Sequence, residues 1–267
     1  MRRITVGLLA GVALGAISLG SAAAADLRPA YKAPPVVAPA FSWTGLYIGA
    51  HGGCGSIDHK PAVGVVDGDA PDPGTSFGFS DNSRGGGCFG GGQIGFNWQF
   101  SGPWVLGVEA DIAGGSLRSS GTLNEFEAGG VTEPLATYTS ELQSFGTVRA
   151  RLGWSWTWGS TPVMPYITGG WAWGRNRLAV TNVDAGVPSA FSDTQTHNGW
   201  TVGAGAEIAF TPNWSVKGEY LYLDLGRKSY NVITFDDVLA NPSSAFSLHP
   251  TVHTVKVGLN YRFGWWR

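Results

Sequence analysis

Hydrophobic and polar residues alternate along most of this chain, and the pattern is clearest near its C-terminus. In VKVGLNYRF, residues 255–263, every odd-numbered residue is apolar or aromatic and every even-numbered residue is polar or glycine. A period of two is that of a β-strand with two unlike faces. In a soluble protein the apolar face packs on a core, whereas in a transmembrane barrel it meets lipid and the polar face lines the lumen. One strand cannot distinguish these two arrangements.

Eight segments share this period: 43–53, 92–100, 104–112, 138–154, 163–174, 197–210, 214–225 and 255–263. The connections between them alternate in length. The short ones are 101–103, 155–161 and 211–213, and the long ones run roughly over 54–89, 113–137, 175–196 and 226–250. This asymmetry is typical of an outer-membrane barrel, which has tight periplasmic turns and long external loops. A β-sandwich has no reason to sort its loops by end.

Aromatic residues are concentrated at two heights of the predicted barrel. One group lies beside short turns or chain ends: Trp43, Phe100, Trp104, Trp154, Trp156, Phe210, Trp214 and Phe263. The other gathers near the opposite rim: Trp171, Trp173, Trp200, Tyr220 and Tyr222. Membrane barrels carry such rings at both interfaces, whereas a soluble lipocalin-like barrel, the alternative, would bury its large aromatic side chains. Residues 43–267 are therefore predicted to be all-β, an eight-stranded antiparallel transmembrane β-barrel with short periplasmic turns and four long extracellular loops.

The inward-facing positions of this barrel carry charges of both signs: Glu109, Asp111, Arg149, Arg151, Glu207, Lys217, Glu219, Lys256 and Arg262. Unpaired charge away from bulk water is costly, so these groups are expected to pair. Eight strands enclose a space that side chains just fill, which favours a salt-bridged plug. Glycines such as Gly95 and Gly205 also point inward and leave room for water, so a charge-lined ion path stays open as the alternative.

In the fourth segment, 138–154, alternation alone decides which residues are predicted to face lipid and which to face the lumen. Leu142 is placed on the lipid side with Val148, and Glu141 and Gln143 are placed on the lumen side.

The first 42 residues precede the barrel. Arg2 and Arg3, an apolar run and then Ala23 to Ala25 read as a cleavable secretory signal over 1–25. The alternative, a membrane anchor, needs roughly 20 apolar residues, and this run is shorter and interrupted by glycine. Residues 26–42 are rich in Pro and Ala and are predicted to be an extended leader. The mature protein is therefore expected to be exported.

Composition narrows the function classes further. The chain has 41 Gly, 12 Trp, 13 Phe and 8 Tyr, and only 13% charged residues, which suits a membrane barrel. A net charge of −2 gives no indication of a nucleic-acid partner. An acidic turn with Asp67, Asp69 and Asp72 resembles an oxygen ligand set, but a solvated turn explains it as well, and we expect no metal and no cofactor.

Catalysis is the other alternative, because outer-membrane lipid-modifying barrels gather a His and a Ser near the outer rim. The chain has five histidines, all of which are predicted to lie near the external end: His51, His59, His197, His249 and His253. They form no recognisable nucleophile motif, so we expect no catalytic residues and no enzyme.

Cys54 and Cys88 are the only cysteines, and they flank the first long connection. An exported chain with two cysteines favours a disulfide. If 54 opposes 88, then Ile48 opposes Ile94, so apolar residues meet across the strands. Free thiols remain the alternative. Closing a loop of roughly 35 residues stabilises a fold by about 3 to 4 kcal/mol in the chain-entropy model.

Several longer motifs carry a family resemblance: DLRPAYKAPP after the signal, FSWTGLYIGAHGG, FGTVRARLGW, PYITGGWAWG, GWTVGAGAEIAF, NWSVKGEYLYLDLG and the closing VKVGLNYRF. With them the mature chain resembles the small OmpA-like barrels of Gram-negative outer membranes, and most of all the porin-family or outer-membrane immunogenic proteins of alphaproteobacteria. The resemblance implies outer-membrane localisation and partners of three kinds: membrane lipid with lipopolysaccharide, the barrel-assembly machinery, and host or surface ligands at the loops.

The resemblance also implies an assembly signal in the last strand, which in this family usually ends the chain at an aromatic residue. That role falls to Leu259, Tyr261 and Phe263. Here GWWR follows Phe263, which departs from the family pattern.

The function expected from these features is structural and interactive: the barrel stabilises the envelope and presents its loops outside. The alternative is a small pore that passes ions or small solutes.

Overall fold

The computed structural model describes residues 41–62, 76–79, 84–127, 130–182, 190–231 and 245–264. The chain divides into Met1–Ala40 and Phe41–Arg267, and the described residues all belong to the second unit. The predicted signal, nearly all of the predicted leader and the Asp67 to Asp72 turn lie outside them. No helix in the described ranges is long and apolar enough to cross a membrane.

Eight long strands carry the fold: β1 (Gly45–Ala62), β3 (Arg84–Phe100), β4 (Trp104–Glu127), β5 (Gly130–Trp154), β7 (Thr161–Asn182), β8 (Ala190–Ala209), β9 (Trp214–Asp224) and β11 (Ala245–Arg262). Three short strands accompany them: β2 (Ser76–Phe79), β6 (Trp156–Trp158) and β10 (Lys228–Asn231). The prediction of eight alternating segments is confirmed, and each of them lies within or overlaps one long strand.

The long strands form one antiparallel sheet in the order β1-β3-β4-β5-β7-β8-β9-β11, and β1 also pairs with β11. This last pairing closes the sheet into a barrel, which removes the unpaired edges that an open sheet would expose. The short strands extend the rims: β2 pairs with β4, β6 with β7 and β10 with β11. The rim at residues 101–103, 155–160 and 210–213 is called the turn end below, and the opposite rim is called the loop end.

The strands at the loop end are longer than the sequence predicted. β4 and β5 pair as far as Glu127 and Gly130, within a region that was predicted to be a loop. β7 and β8 likewise remain paired to Thr181 and Ala190. Outside a membrane a strand has no need of an apolar outer face, so the outer positions of these extensions are polar and the alternation on which the prediction depended is lost.

The faces of the barrel are inverted relative to a soluble protein. Val108, Ile167 and Val255 are 57%, 63% and 62% exposed on the outside, whereas Lys217 and Asn260 on the inside are 1% and 0% exposed. The apolar face of VKVGLNYRF therefore points outward, as a lipid-facing surface does.

One strand departs from simple alternation. A β-bulge between Leu142 and Ser144 shifts the register of β5 against β7, because a bulge inserts an extra residue on one strand. The predicted facings on the loop side of the bulge were therefore wrong. Leu142 is 1% exposed inside the barrel, and Glu141 lies on the outer face, where it bonds Ser116 and Arg118.

Aromatic residues ring the outer surface at both heights. At the turn end the Trp104 and Trp154 rings are 4.7 Å apart, and at the loop end Trp200 and Tyr222 are 5.4 Å apart. Trp200 on β8 and Phe210 directly after this strand are ten positions apart, which is about 33 Å along a strand and about 25 Å when the strand is tilted as in membrane barrels. This span matches the apolar band of an outer-membrane barrel.

Trp43 does not belong to this surface ring, which corrects the prediction. It is 1% exposed, because the chain before β1 folds under the barrel, where the Trp43 amide donates to Gln99 Oε1 at 2.9 Å and its indole donates to Ser155 Oγ at 3.1 Å.

Candidate functional site: the closed lumen

The charged residues of the lumen are brought together by strand register. Glu109 on β4 lies directly opposite Arg149 on β5, Glu207 on β8 opposite Lys217 on β9, and Lys256 on β11 opposite Glu219 on β9. Eight of the nine predicted lumen charges meet in this way and form the charge layer: Glu109, Asp111, Arg149, Arg151, Glu207, Lys217, Glu219 and Lys256.

Arg149 connects three carboxylates across the lumen. Its Nη2 lies 2.6 Å from Glu109 Oε1 and 2.7 Å from Asp111 Oδ2, and its Nη1 lies 3.0 Å from Glu219 Oε1. A guanidinium group suits this position because its planar fork presents several donors in fixed directions.

The two lysines complete the centre of the charge layer. Lys217 Nζ is 2.7 Å from both carboxylate oxygens of Glu109. Lys256 Nζ is 2.9 Å from Asp111 Oδ2 and 3.1 Å from Glu219 Oε1. Strands that are not neighbours in the sheet are thereby joined through the interior.

Arg151 lies between two tyrosine rings. Its guanidinium carbon is 5.4 Å from the centroid of Tyr47 and 4.4 Å from that of Tyr166, distances at which a cation is attracted to a ring face. Its Nη2 is 2.5 Å from Glu207 Oε2 and its Nη1 is 3.3 Å from Glu109 Oε2.

The charge layer is balanced, with four carboxylates and four basic groups whose side chains are each at most 3% exposed. Buried charges are tolerated when they are paired and hydrogen-bonded, and removing one partner leaves the other uncompensated at a cost of about 3–5 kcal/mol. The charge layer is therefore a rigid interior that tolerates single truncations poorly.

Arg262 does not join these ion pairs. Its Nη2 donates to the Pro212 carbonyl at 2.6 Å and its guanidinium lies 4.4 Å from the Phe41 ring centroid. The prediction placed it with the lumen charges because of its parity, but β11 ends at this residue, so its side chain lies at the turn end.

Uncharged polar residues that were not singled out from the sequence complete the charge layer. Tyr47 and Tyr166 donate to Glu109 at 2.7 Å and to Glu219 at 2.9 Å. Thr147 donates to Asp111 at 2.9 Å, and Ser215 and Asn260 donate to Glu207 at 2.5 and 3.0 Å. All of them occupy inward positions, so the alternation of inward and outward residues along each strand was the signal that could have identified them.

Neighbouring side chains fill the space beside the inward glycines. A Cβ at Gly95 would collide with the Tyr47 ring, and one at Gly205 would meet the Tyr166 ring at 2.7 to 2.8 Å. A Cβ at Gly107 would meet Arg151 Cγ at 2.9 Å. These glycines make room for large side chains from adjacent strands. They therefore do not leave the empty space for water that the sequence suggested.

Apolar layers lie on both sides of the charge layer, and sequence reasoning missed them. The turn-end layer consists of Trp43, Val105, Met164, Tyr166 and Ala209, with Phe41 packed against it. The loop-end layer consists of Ile57, Phe89, Ala113, Leu117, Leu142, Phe145, Ala172, Leu221, Leu223, Leu225 and Val252. Apolar residues at inward positions near the strand ends were the available signal.

Cys54 and Cys88 are bonded to one another across directly opposed positions of β1 and β3, 34 residues apart in sequence. Both lie on the outer surface of the barrel near the loop end.

The three residues assigned to assembly occupy the outer face of β11 and the segment after it. Leu259 is 44% exposed, and the Tyr261 ring lies 5.1 Å from Trp214 and 5.2 Å from Phe263.

Four histidines have described side chains, and His197 is one of them, buried inside the barrel at 0% exposed. His51 is buried in the lumen beside Gln93, at 2.9 Å, which corrects its predicted place near the external end. His249 lies 2.7 Å from Asp224, and His253 lies 2.7 Å from the Tyr220 hydroxyl. Within the described ranges no group of three or more His, Cys, Asp or Glu side chains is arranged to hold a metal ion.

Comparison with known proteins identifies relatives that match most of the chain. A family model described as outer membrane protein beta-barrel domain matches residues 12–263. The 31 kDa outer-membrane immunogenic protein of Brucella melitensis is 38% identical over 267 residues, covering 96% of this chain and 98% of that protein. The 22 kDa outer membrane protein of Rhizobium leguminosarum is 30% identical over 238 residues, covering 88% of this chain and 83% of that protein.

Solved structures with a similar arrangement of strands include Ail of Yersinia pestis (TM-score 0.36, 16% identity, 82% of this chain and 99% of that one) and OprG of Pseudomonas aeruginosa (TM-score 0.40, 15% identity, 82% and 96%). The sequence relatives and the family match carry the assignment: this chain belongs to the outer-membrane protein β-barrel family, and its place is the outer membrane.

Proposed function

We propose that this barrel is a closed structural protein of the outer membrane, which stabilises the envelope and presents its loop end to the outside. The observation that carries the proposal is the stacking of the balanced charge layer between two apolar layers. An ion that entered from either rim would have to lose its water in an apolar layer, which is strongly unfavourable.

The alternative of a small pore has less support. It would need a continuous wet path, whereas the inward glycines that suggested one are filled by tyrosine and arginine side chains. A catalytic role is also not proposed, because the relatives that match 96% and 88% of this chain are described as outer-membrane and immunogenic proteins.

The proposal also includes the orientation of the barrel, the processing of its N-terminus and its assembly. The turn end faces the periplasm and the loop end faces outward, where lipopolysaccharide surrounds the barrel and the loops meet host or surface ligands. Residues 1–25 are removed on export, residues 26–42 form the periplasmic leader, and the assembly machinery reads Leu259, Tyr261 and Phe263.

Single-channel recording of the refolded mature chain in a planar bilayer tests the closed lumen. We expect no conductance steps from the wild type. The Arg149→Ala, Arg151→Ala double variant leaves buried carboxylates unpaired, and we expect it to lose heat-resistant gel mobility or to admit ions.

The matched control is Val148→Ala, which truncates a lipid-facing residue directly before Arg149 and should stay silent and heat-resistant. Reproducible wild-type steps whose ion selectivity changes in the double variant would show that the charges line a path, and the protein would then be a pore.

A further inference from the structure

A cluster of arginines lies on the outside of the barrel, just beyond the loop-end aromatic ring. Arg118 on β4 is directly opposite Glu141 on β5, which is directly opposite Arg177 on β7. Arg175 is on the same face of β7, two residues from Arg177 and two from Trp173. These residues, Arg118, Arg175, Arg177 and Glu141, are called the arginine cluster below.

The arginine cluster has a surplus of positive charge. Three guanidinium groups face one carboxylate, so its net charge is +2. Glu141 is already engaged: its Oε1 accepts from Ser116 Oγ at 2.7 Å and from Arg118 Nη2 at 3.2 Å. Those contacts hold the pKa of Glu141 below its ordinary value. Arg175 and Arg177 are exposed and form no ion pair with another residue in the described part of the chain.

The dimensions suit a phosphate group. Adjacent strands lie about 4.8 Å apart and same-face neighbours on one strand about 6.6 Å apart, so the three guanidinium groups can converge on one anion. Guanidinium binds phosphate in a bidentate manner through its planar fork.

The height of the arginine cluster indicates where that phosphate is held. Trp171, which is 48% exposed, and Trp173 mark the loop-end ring on β7, and aromatic side chains of such rings sit at the level of lipid headgroups. The arginine cluster begins at the next outward position, which is the level of headgroup phosphates in the facing leaflet.

We propose that Arg118, Arg175 and Arg177 form a binding site for the phosphate of a phosphorylated lipid headgroup in the outer leaflet. The inference deepens the proposed function, because it rests on the loop end facing outward and locates a site at which the barrel holds a phosphorylated lipid. The phosphate has two candidate sources, the glycolipid and a phospholipid such as phosphatidylglycerol.

The test is a titration of the refolded full chain, in uncharged maltoside micelles, with bisphosphoryl lipid A, dephosphorylated lipid A and phosphatidylglycerol. Each surface arginine near anionic lipid is worth about a fivefold change in affinity. We expect Arg175→Ala, Arg177→Ala to weaken binding of bisphosphoryl lipid A about 30-fold, and dephosphorylated lipid A to bind no better to wild type than to this variant.

Two further variants are titrated in the same way: a control, and a variant that should bind lipid A more tightly. Arg84→Ala removes an arginine that is 82% exposed and already paired with Asp58 at 3.0 Å, so it should change affinity less than about twofold. Glu141→Gln removes the competing carboxylate and should tighten binding about fivefold, a gain that misfolding cannot mimic.

The outcomes separate the possibilities. Arginine-dependent binding of lipid A over phosphatidylglycerol assigns the site to the glycolipid, and equal binding of both assigns it to lipid phosphate in general. Equal losses in Arg84→Ala and in Arg175→Ala, Arg177→Ala, or equal binding of dephosphorylated lipid A, would overturn the site. A conducting barrel that keeps arginine-dependent binding would refute only the closed lumen.

Discussion

At the scale of single residues, the lumen depends on matching a large side chain to a small neighbour. Tyr47 lies opposite Gly95, and Tyr166 lies opposite Gly205. Each ring folds over its glycine and directs its hydroxyl to a buried glutamate. The two rings also enclose Arg151, so these four positions orient the basic group that joins Glu109 to Glu207.

A pair of glycine substitutions on β3 tests this packing. We expect Gly95→Ala to lower the free energy of unfolding by about 1–3 kcal/mol, because the new methyl group overpacks the lumen against Tyr47. Gly92→Ala is the control, since its Cβ would point outward and meet only the Gly49 carbonyl oxygen at 3.7 Å. Urea unfolding in detergent micelles measures both, and equal effects would contradict the packing role assigned to Gly95.

Parity along each strand predicted most of the residues in the charge layer. Glu109, Arg149 and Lys256 occupy the inward positions that alternation assigns to them. Alternation could not predict that Arg262, the last residue of β11, lies outside the charge layer, or that glycines make room for tyrosines. Both depend on which residues of distant strands meet, and alternation within one strand contains no such information.

At the scale of elements, the strands extend beyond the membrane-spanning part of the barrel and are tied together at the loop end. The β4–β5 hairpin continues to Glu127 and Gly130, and the Cys54–Cys88 bond joins β1 to β3 at the foot of the first long connection. β1 also pairs with β11 where the barrel closes. The bond therefore holds β1, the strand that closes the barrel by pairing with β11, against its other neighbour β3.

Removing this bond should cost stability without opening the barrel. Because the cysteines are 34 positions apart in sequence, we expect Cys54→Ser, Cys88→Ser to lower the free energy of unfolding by about 3–4 kcal/mol. Dithiothreitol should lower the free energy of unfolding of the wild type, measured by urea denaturation, by the same amount and leave that of the double variant unchanged. An equal response of both proteins to the reductant would show that the bond is not the cause.

The lengths of the elements were predicted less well than their number. Alternation identified the eight membrane-spanning segments because lipid and lumen impose opposite polarity on successive residues. It did not identify the paired extensions, in which the outer face is polar, or the bulge between Leu142 and Ser144. A two-residue repeat in the sequence does not reveal a bulge. Here the bulge places Leu142 in the loop-end layer.

At the scale of the whole molecule, the barrel is a stack of three interior layers inside an apolar exterior. The turn-end layer, the charge layer and the loop-end layer together fill the space that eight strands enclose. The charge layer binds the wall strands to one another through ion pairs, and the apolar layers keep water from those pairs. Rigidity and closure are thus two consequences of one arrangement.

Access of a water-soluble reagent to the charge layer tests this arrangement most directly. Thr147 lies in that layer, is 1% exposed and donates to Asp111 at 2.9 Å. Thr139 lies on the same strand and is exposed at the loop end. Thr147→Cys and Thr139→Cys therefore place one thiol inside the stack and one outside it.

The refolded variants are treated with a small, positively charged methanethiosulfonate reagent, and the modified fraction is followed by mass spectrometry against the wild type. We predict rapid modification of Thr139→Cys and none of Thr147→Cys while the barrel remains folded. Modification of both thiols at similar rates would show that water and ions reach the charge layer, which would contradict a closed lumen.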